Sequence, residues 1–352
     1  MPIMSTPATP SASPVVIEMV SEAPSPAALA TIGETLPDVL RQELEGAAQL
    51  ASDARSARTR KEYGKDLQRY GQWCLARHLT PVPCPPPQLC AYIASENERG
   101  LKVSSILRAV SAISQAHVVR QLPSPRYDPG VREVIKGLRR SGNTDVAKKA
   151  ALMPSTLRRM IKTLGDDIRG KRDRAALLLG FAAGMRRSEV VSIDVEDVSF
   201  TREGVVVKLR KSKTDQEGKG HEFPILYGAD PTTCPVRALK DWLDVRQAET
   251  GPLFVDVTRA CWRTENRLCD RAVARLIKRA AKDAGLNEKE IRELSGHSLR
   301  AGFLTTAAKL GRSIPSMQKF SRHRRVDVLL GYVRDTEKWG DNPSKGVTDA
   351  DF

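Results

Sequence analysis

The segment SGHSLRAGF contains a histidine and an arginine, His297 and Arg300, that stand three positions apart. If the segment is helical, both side chains project from the same face and can reach one ligand. A guanidinium offers charge and paired donors to a phosphate, and an imidazole can take up or release a proton near neutral pH. The pair could therefore handle a phosphate ester, although His-x-x-Arg also occurs on ordinary helices whose arginine pairs with a carboxylate.

Three further residues have types that suit the same chemistry. Arg186 lies in GFAAGMRRSEV, after Gly184 and before a short predicted helix, where a turn could aim its guanidinium. His323 and Tyr332 lie nine residues apart in FSRHRRVDVLLGYVRD. A tyrosine within an apolar run is more often a core residue. Here, however, the order along the chain is Arg, His-x-x-Arg, His and Tyr.

This order resembles the tyrosine recombinase family, the phage-integrase-like site-specific recombinases that include Cre-like and Xer-like enzymes. The resemblance covers nearly the whole chain after its N-terminal tail. The family pattern is an arginine in a Gly-Met/Leu-Arg-x-Ser-Glu turn, a lysine on a β-hairpin, His-x-x-Arg, a His or Trp, and a following tyrosine. The residues at the matching positions are Arg186, Lys213, His297, Arg300, His323 and Tyr332.

The first arginine of the pattern has a competitor beside it. Arg187 follows Arg186 directly in GMRRSEV. Arg186 is preferred because the family's glutamate comes three residues after its arginine, as Glu189 does after Arg186. The resemblance therefore implies that Arg186 is the first catalytic arginine.

The lysine and the second histidine are matched less completely. Lys208 and Lys211 compete with Lys213, which is preferred because the family lysine commonly precedes a threonine at the hairpin turn, as in SKT. The segment FSRHRR lacks the Gly-His or Gly-Trp pair often found in the family. The resemblance implies that His323 keeps its role in a local turn that differs from the usual one.

The resemblance implies cleavage of a DNA phosphodiester by a tyrosine. Arg186 and Arg300 would clamp the nonbridging oxygens, where negative charge builds in the transition state. A phenol with a pKa of about 10 is a poor nucleophile near neutral pH, so Tyr332 needs a proton acceptor, and His297 is the expected base.

The departing 5′ oxygen needs a proton, and the resemblance implies that Lys213 supplies it as general acid. His323 would add a hydrogen bond to the scissile phosphate. No metal or other cofactor is expected, because the guanidiniums supply the positive charge that a metal ion supplies in many nucleases. A 3′-phosphotyrosyl bond would keep the energy of the broken bond, so the step could be reversed without ATP.

Composition agrees with a DNA partner. The chain of 352 residues has a net charge of +15 at pH 7, which favours a polyanion, and it has no run of 18 apolar residues. Together with the charge, the resemblance implies double-stranded DNA as the partner, no membrane contact, and a bacterial cytoplasmic, nucleoid-associated location. The six cysteines lack metal-binding spacing and are expected to be buried, reduced thiols; they are Cys74, Cys84, Cys90, Cys234, Cys261 and Cys269.

The fold is expected to be mainly α-helical, with a small antiparallel β-sheet in the C-terminal domain. Residues 1–45 read as a disordered tail, because the first 40 contain seven prolines and no lysine, arginine or histidine. Residues 46–140 show helical periodicity and predict a helical domain, followed by a linker at 141–153 and a second domain at 154–345. The resemblance implies that the first is a core-binding domain of the SAM-like type and the second the catalytic domain. Together the two domains would clamp duplex DNA.

Within these domains, several local features are predicted. His117 lies on an apolar helical stripe and is expected to be a core histidine with its hydrogen bonds satisfied. Three strands are expected around Val198, at 205–209 and at 223–226. Helices are expected at about 270–284, 295–310, 314–320 and 326–333.

Recombination joins two duplexes, so self-association on DNA is expected, with four protomers in the synapse. The C-terminal segment EKWGDNPSKGV could pass to a neighbouring protomer, with Trp339 as its anchor. Two other functions remain open at this point. A type IB-like topoisomerase uses similar residues, and a catalytically silent DNA-binding accessory protein could keep the fold without the activity.

Overall fold

The computed structural model describes residues 56–143, 149–210, 220–258, 262–323 and 325–337, together with a few isolated positions. The fold is mostly helical with small antiparallel sheets, as predicted. The chain divides into two compact units, Met1–Val146 and Ala147–Phe352, each described by itself below.

The first unit contains four described helices: α1 (Ala57–Leu75), α2 (Pro86–Glu98), α3 (Val103–Val119) and α4 (Pro129–Ser141). Their starts follow from local chemistry. The Ser56 hydroxyl accepts the Thr59 N–H at the start of α1, and the Asp128 carboxylate accepts two N–H groups at the start of α4. The helices bury an aromatic group in which Tyr70, Trp73 and Tyr92 contact one another edge-on or stacked.

His117 lies in this core, and the prediction that it is a satisfied core histidine is confirmed. Its side chain is 1% exposed. Nε2 accepts the Cys84 backbone N–H at 2.9 Å, and Nδ1 lies 2.8 Å from the Ile113 carbonyl oxygen. Because Nε2 accepts, Nδ1 carries the proton and donates it. The ring therefore joins α3 to the loop before α2.

The second unit begins with α5 (Pro154–Lys162), α6 (Ile168–Ala182) and the short α7 (Arg187–Ser192). A three-stranded antiparallel sheet follows, as predicted, with β1 (Val198–Phe200), β2 (Gly204–Leu209) and β3 (His221–Leu226) in that order. β2 and β3 pair from Gly204 opposite Leu226 to Leu209 opposite His221. β2 ends at Leu209 and β3 begins at His221, so the segment between these two residues joins the strands at this end of the sheet.

The rest of the second unit is helical apart from one hairpin. It comprises α8 (Pro235–Arg246), β4 (Val255–Val257), β5 (Arg263–Arg267), α9 (Asp270–Asp283), α10 (Glu288–Glu293), α11 (Ser298–Lys309), α12 (Ile314–Ser321) and α13 (Val326–Glu337). Helices α9, α11, α12 and α13 were predicted. Helices α8 and α10 and the β4–β5 hairpin were not.

The core of the second unit consists of a large cluster and a small one. The large cluster buries most of α6 together with α5, α8, α9 and the inner face of the sheet. The small cluster lies among α11, α12 and α13, and its buried members are Leu304, Ala307, Ala308, Met317 and Leu329. Phe303, Ile314 and Tyr332 pack against it. Tyr332 is therefore supported by a core of five buried side chains.

Part of the predicted linker is held by the second unit. The backbone N–H of Ala150 donates to the Glu293 carbonyl, and that of Leu152 donates to the Ser298 carbonyl, both at 3.0 Å. Leu152 is fully buried in the large cluster. Residues 149–152 thus belong structurally to the second unit.

Of the five described cysteines, Cys74, Cys84 and Cys234 are buried as predicted, whereas Cys90 is half-buried and Cys269 is exposed. Cys74, Cys84, Cys90, Cys234 and Cys269 are all free thiols, and Cys261 lies outside the described residues. Cys269 is exposed, so the expectation that it is buried was wrong. It lies directly before α9, and the apolar Leu268 before it takes the buried position. In the described part of the chain, no helix has the length and apolar character that crossing a membrane requires.

Candidate active site

Arg186 stands at the start of α7, where the helix and one carboxylate fix its position. Glu189 accepts the Arg186 backbone N–H at 2.8 Å and its guanidinium at 2.7 Å. The Glu189 side chain is 5% exposed and that of Arg186 is 26% exposed. One side of the Arg186 guanidinium is thus held while part of it faces solvent. The neighbouring Arg187 pairs instead with Asp270 of α9 at 3.1 Å.

Glu189 remains charged although it is buried. Burial alone would raise its pKa, but the positive charge of Arg322 and the hydrogen bonds from Arg186 outweigh this effect, and the pKa lies below its usual value of 4.5. The carboxylate therefore acts as a fixed counter-charge beside Arg186.

Arg300 lies in the first turn of α11 and is 1% exposed. Its Nη1 donates to the Gly184 carbonyl at 2.9 Å, and its Nη2 donates to the Ser321 carbonyl. Burial, together with the positive charges of Arg186 and Arg322, lowers the pKa of the Arg300 guanidinium to about 10. Arg300 therefore stays positively charged at neutral pH. Two backbone carbonyls from distant parts of the chain hold it in place.

The Gly184 carbonyl reaches Arg300 from a turn that requires glycine. Gly184 has a φ of +56°, in the left-handed region, and a Cβ built there would lie 2.5 Å from the Phe303 ring. The turn ends α6 and leads through Met185, which is fully buried, to Arg186. A single turn thus orders both arginines.

His297 directly precedes α11 at its N-cap position, and its side chain is exposed. Partial desolvation and the positive charges of Arg300 and Arg186 lower the pKa of its imidazole below the usual 6.5. The ring is consequently neutral at pH 7. A neutral imidazole beside two guanidiniums can accept a proton.

His323 follows α12 in a short loop. Its Nδ1 lies 2.8 Å from the Ser321 hydroxyl, and Arg300 Nη2 lies 3.4 Å from the same nitrogen. Its backbone carbonyl accepts from the Gln318 side chain at 3.0 Å. Burial and the charges of Arg300 and Arg186 lower the pKa of His323 to about 4. His323 is therefore a neutral donor or acceptor near Arg300.

Tyr332 lies on α13, packed partly buried against the small cluster. Its phenol is close enough to the Arg300 guanidinium for the two to interact electrostatically. The same chain thus supplies the tyrosine and the arginine beside it.

The structure brings five of the six predicted residues together. Electrostatic interactions connect Arg300 with Arg186 and Tyr332, and His323 with both arginines and with His297. Lys213, like its competitor Lys211, lies outside the described residues. Lys208 is exposed on β2, opposite Glu222.

Sequence reasoning missed two residues of the site. Ser321 supplies a carbonyl to Arg300 and a hydroxyl to His323, and Arg322 donates to Glu189 at 2.7 Å. Arg322 carried one signal, because it stands where the family usually has glycine. Among the described residues, no group of three or more His, Cys, Asp or Glu side chains could hold a metal ion.

Comparison with known proteins gives one consistent picture. A family model described as the phage integrase family matches residues 151–338. The chain is 33% identical to an integrase/recombinase XerD homolog of Selenomonas ruminantium, over 81% of this chain and 83% of that protein. It is 25% identical to the Cre recombinase of Escherichia phage P1, over 76% of this chain and 81% of that protein.

Solved structures share the fold. The XerH site-specific recombinase bound to a palindromic difH substrate, in a post-cleavage complex, matches with a TM-score of 0.57 and 15% identity, covering 76% of this chain and 73% of that one. A lambda integrase dimer bound to a COC′ core site matches with a TM-score of 0.55 and 17% identity, covering 83% of this chain and 94% of that one.

Proposed function

The chain belongs to the phage integrase family of tyrosine recombinases, which are DNA strand-transferring enzymes, and we propose how its own residues carry out that reaction. Tyr332 attacks a DNA phosphodiester, forms a 3′-phosphotyrosyl bond and releases a 5′-hydroxyl. A 5′-hydroxyl of another strand then reverses the step and completes the exchange.

Arg186 and Arg300 bind the nonbridging oxygens of the scissile phosphate. Both guanidiniums are held by partners that do not include the phosphate, so they are arranged before DNA arrives. As the Tyr332 oxygen bonds to phosphorus, negative charge grows on these oxygens and the interaction with the two arginines strengthens.

Two proton transfers accompany the exchange of oxygens on phosphorus. His297, neutral at pH 7, accepts the phenolic proton as the bond from Tyr332 forms. The bond from phosphorus to the 5′ oxygen breaks, and Lys213 gives that oxygen its proton. His323 donates one hydrogen bond to the phosphate from Nε2, when the Ser321 hydroxyl donates to its Nδ1.

One observation carries the proposal: the phenol of Tyr332 lies beside Arg300 in the same chain, within a group that includes Arg186, His297 and His323. A core tyrosine would have no need of two arginines and two histidines. This arrangement supports cleavage by the tyrosine of the protomer that binds the phosphate.

The test is trapping of the covalent intermediate. The full-length protein is incubated with nicked duplexes tiled across the genome that encodes it, with each nick placed so that the released 5′-hydroxyl fragment diffuses away. We expect a denaturation-resistant protein–DNA adduct that is lost in Tyr332→Phe and kept in Tyr127→Phe, which removes the hydroxyl of an exposed tyrosine of the first unit. An adduct that survives Tyr332→Phe, or no adduct with any duplex, contradicts the proposal.

The partners follow from the same reaction. We propose double-stranded DNA as the substrate, gripped by the helical first unit as core-binding domain and by the second unit as catalytic domain, and four protomers in the synapse. The XerH and lambda integrase structures are DNA complexes, which supports the first of these points. A bacterial cytoplasmic, nucleoid-associated location fits a substrate of this kind.

The other two functions have less support. The relatives reported above are recombinases and integrases, and none of them favours a topoisomerase or a silent accessory protein. Trp339 and the residues that follow it lie outside the described part of the chain, so the exchange of this segment between protomers stays a prediction.

A further inference from the structure

Arg322 occupies a backbone conformation that its residue type rarely adopts. It ends α12 with a φ of 58° and a ψ of 37°, in the left-handed region, which glycine adopts without strain. His323 follows directly. A strained backbone beside a functional residue persists only where the side chain or its surroundings compensate for it.

The Arg322 side chain makes a buried ion pair with Glu189. Its Nη2 lies 2.7 Å from Glu189 Oε2, and the two side chains are 11% and 5% exposed. Oε1 of the same carboxylate accepts from the Arg186 guanidinium. Glu189 is thus shared by two arginines, one on the loop that carries His323 and the other at the start of α7.

The Arg322 guanidinium also lies over an aromatic ring of the sheet. Its central carbon is 4.8 Å from the ring centroid of Phe223, which is fully buried on β3. Phe223 pairs with Val207 of β2, so this strand pair connects to the segment that contains Lys213.

One side chain therefore contacts two segments of the site and belongs to a third. The three are the start of α7 with Arg186, the β2–β3 pair that leads to Lys213, and the loop and helix that carry His323 and Tyr332. In its described part, α13 contributes Leu329 to the small cluster, beside four buried side chains of α11 and α12.

We propose that Arg322 is a positioning residue that joins these three segments, so that Tyr332 and His323 are held at the distance from Arg186 that cleavage requires. The inference rests on the proposed function for its consequence in catalysis. Arg322 would thus have a structural role at the position where the family pattern has glycine.

Three variants of the full-length protein test it. Arg322→Asn tolerates the left-handed backbone and cannot reach Glu189 or Phe223. Arg322→Lys keeps the charge but loses the planar fork and most of the ring contact. Arg325→Ala is the matched control, since Arg325 is 78% exposed three residues further on and pairs with the exposed Asp327.

The first measurement is the single-turnover cleavage rate at saturating protein, on a nicked duplex that the wild type cleaves. Misplacing a reacting group by about 1 Å can cost about a hundredfold in rate, so we expect Arg322→Asn to cleave roughly ten- to a hundredfold more slowly. DNA affinity should change far less, Arg322→Lys should recover part of the rate, and Arg325→Ala should match the wild type. A wild-type rate in Arg322→Asn overturns the inference.

The second measurement needs no DNA. Amide hydrogen exchange of the free protein should accelerate in Arg322→Asn in peptides from 187–192, 221–226 and 322–332 together, and in none of them in Arg325→Ala. Faster exchange confined to 322–332 would overturn the inference, because Arg322 would then order only its own loop. If the wild type cleaves no duplex, the proposed function fails, and the exchange data still decide whether Arg322 joins the three segments.

Discussion

The two site histidines are neutral for a shared reason. Each is partly withdrawn from water and faces Arg186 and Arg300, and both effects disfavour an imidazolium. The surplus of positive charge that suits a phosphate thus also keeps a base available. The same surplus makes protonation of His297 harder than in solution.

We expect the acid limb of the cleavage reaction to lie below pH 6.5. If His297 is the base, as proposed, its neutral form is the active one; its pKa is lowered from 6.5, so activity should persist below that pH and be lost only on further acidification. The second-order rate of adduct formation at limiting protein reports groups of the free enzyme. An acid limb at or above pH 6.5 would show that His297 is not the base or not in this environment.

Glu189 should also make stability depend on pH. Its folded pKa is lowered, so its contribution is fully present above the unfolded value of 4.5 and is lost as the pH falls through the folded pKa. Glu189→Gln removes the buried counter-charge of Arg186 and of the nearly buried Arg322, and we expect a loss of about 3–5 kcal/mol at pH 7.

Denaturant unfolding of both proteins between pH 7 and pH 3 measures this effect. The gap in unfolding free energy between wild type and Glu189→Gln should narrow as the pH falls below 4.5. Glu288→Gln is a suitable control, because its side chain is 92% exposed. A gap that stays constant down to pH 3 would contradict the assigned role of the Glu189 charge.

At the scale of elements, α11 is locked to the segment before α5 by close backbone approach. A Cβ on Gly302 would lie 2.0 Å from the Leu152 carbonyl oxygen and 2.9 Å from the Phe181 ring. The Leu152 backbone N–H also donates a hydrogen bond to the carbonyl of Ser298, the first residue of α11. Because the obstacle is backbone, it cannot move aside as a side chain can.

Gly302→Ala should therefore destabilise the second unit. Overpacking of this kind costs about 1–3 kcal/mol, in spite of the higher helix propensity of alanine. Gly331→Ala is the matched control, because a Cβ there meets nothing within 4 Å, and we expect it to stabilise α13 slightly. Thermal and urea unfolding of the two variants would decide; equal stability would show that α11 does not approach residue 152 so closely.

The elements that were predicted from the sequence are those in which apolar residues recur at one clear spacing. α9, α11 and α12 begin or end within a few residues of the predicted positions because their apolar residues recur at helical spacing. β5, with the sequence RTENR, has no apolar alternation, so nothing marked it as a strand. α8 has a helix-start proline at Pro235 and apolar residues at helical spacing, so its sequence does contain the signals of a helix.

The site was predictable as residue types but not as contacts. The positions of Arg186, His297, Arg300, His323 and Tyr332 follow from an ordered motif. The carbonyls of Gly184 and Ser321 that hold Arg300 could not be predicted, since every residue has a carbonyl. The contacts of Arg322 could not be predicted either, because FSRHRR contains other arginines and nothing in the sequence distinguishes this one.

At the scale of the whole molecule, the burial of charged residues in the described part of the chain affects the net charge that the surface carries. Three arginines and five acids are buried among the described residues; the acids are Asp66, Glu96, Asp173, Glu189 and Asp197. The chain as a whole has 57 lysines and arginines against 42 acids, and in its described part burial withdraws two more acids than arginines from the surface. Affinity for DNA should accordingly fall with salt, by roughly 0.9 log unit per log unit of salt for each phosphate neutralised.

The two compact units should respond separately to damage in the first core. His117→Phe leaves the buried Cys84 N–H without its acceptor, which costs about 1–3 kcal/mol, whereas the Ile113 carbonyl loses the ring N–H but keeps its bond within the helix. We expect faster hydrogen exchange in peptides from 84–119 and unchanged exchange in peptides from 168–182. His78→Asn, at an exposed position with a φ of 55°, should change neither. Faster exchange in both units would show that they share one cooperative transition.

Because the cluster beneath Tyr332 is small, we expect α13 to lose its packing before the rest of the second unit unfolds on heating. Four buried side chains of α11 and α12, with Leu329 of α13 itself, form this small cluster, whereas the large cluster that supports α6 has several times as many buried members. Opening of a local region costs less than global unfolding where fewer apolar groups are released from burial. Warmed protein should thus stop cutting while most of its helices are still intact, and cooling should restore the lost activity.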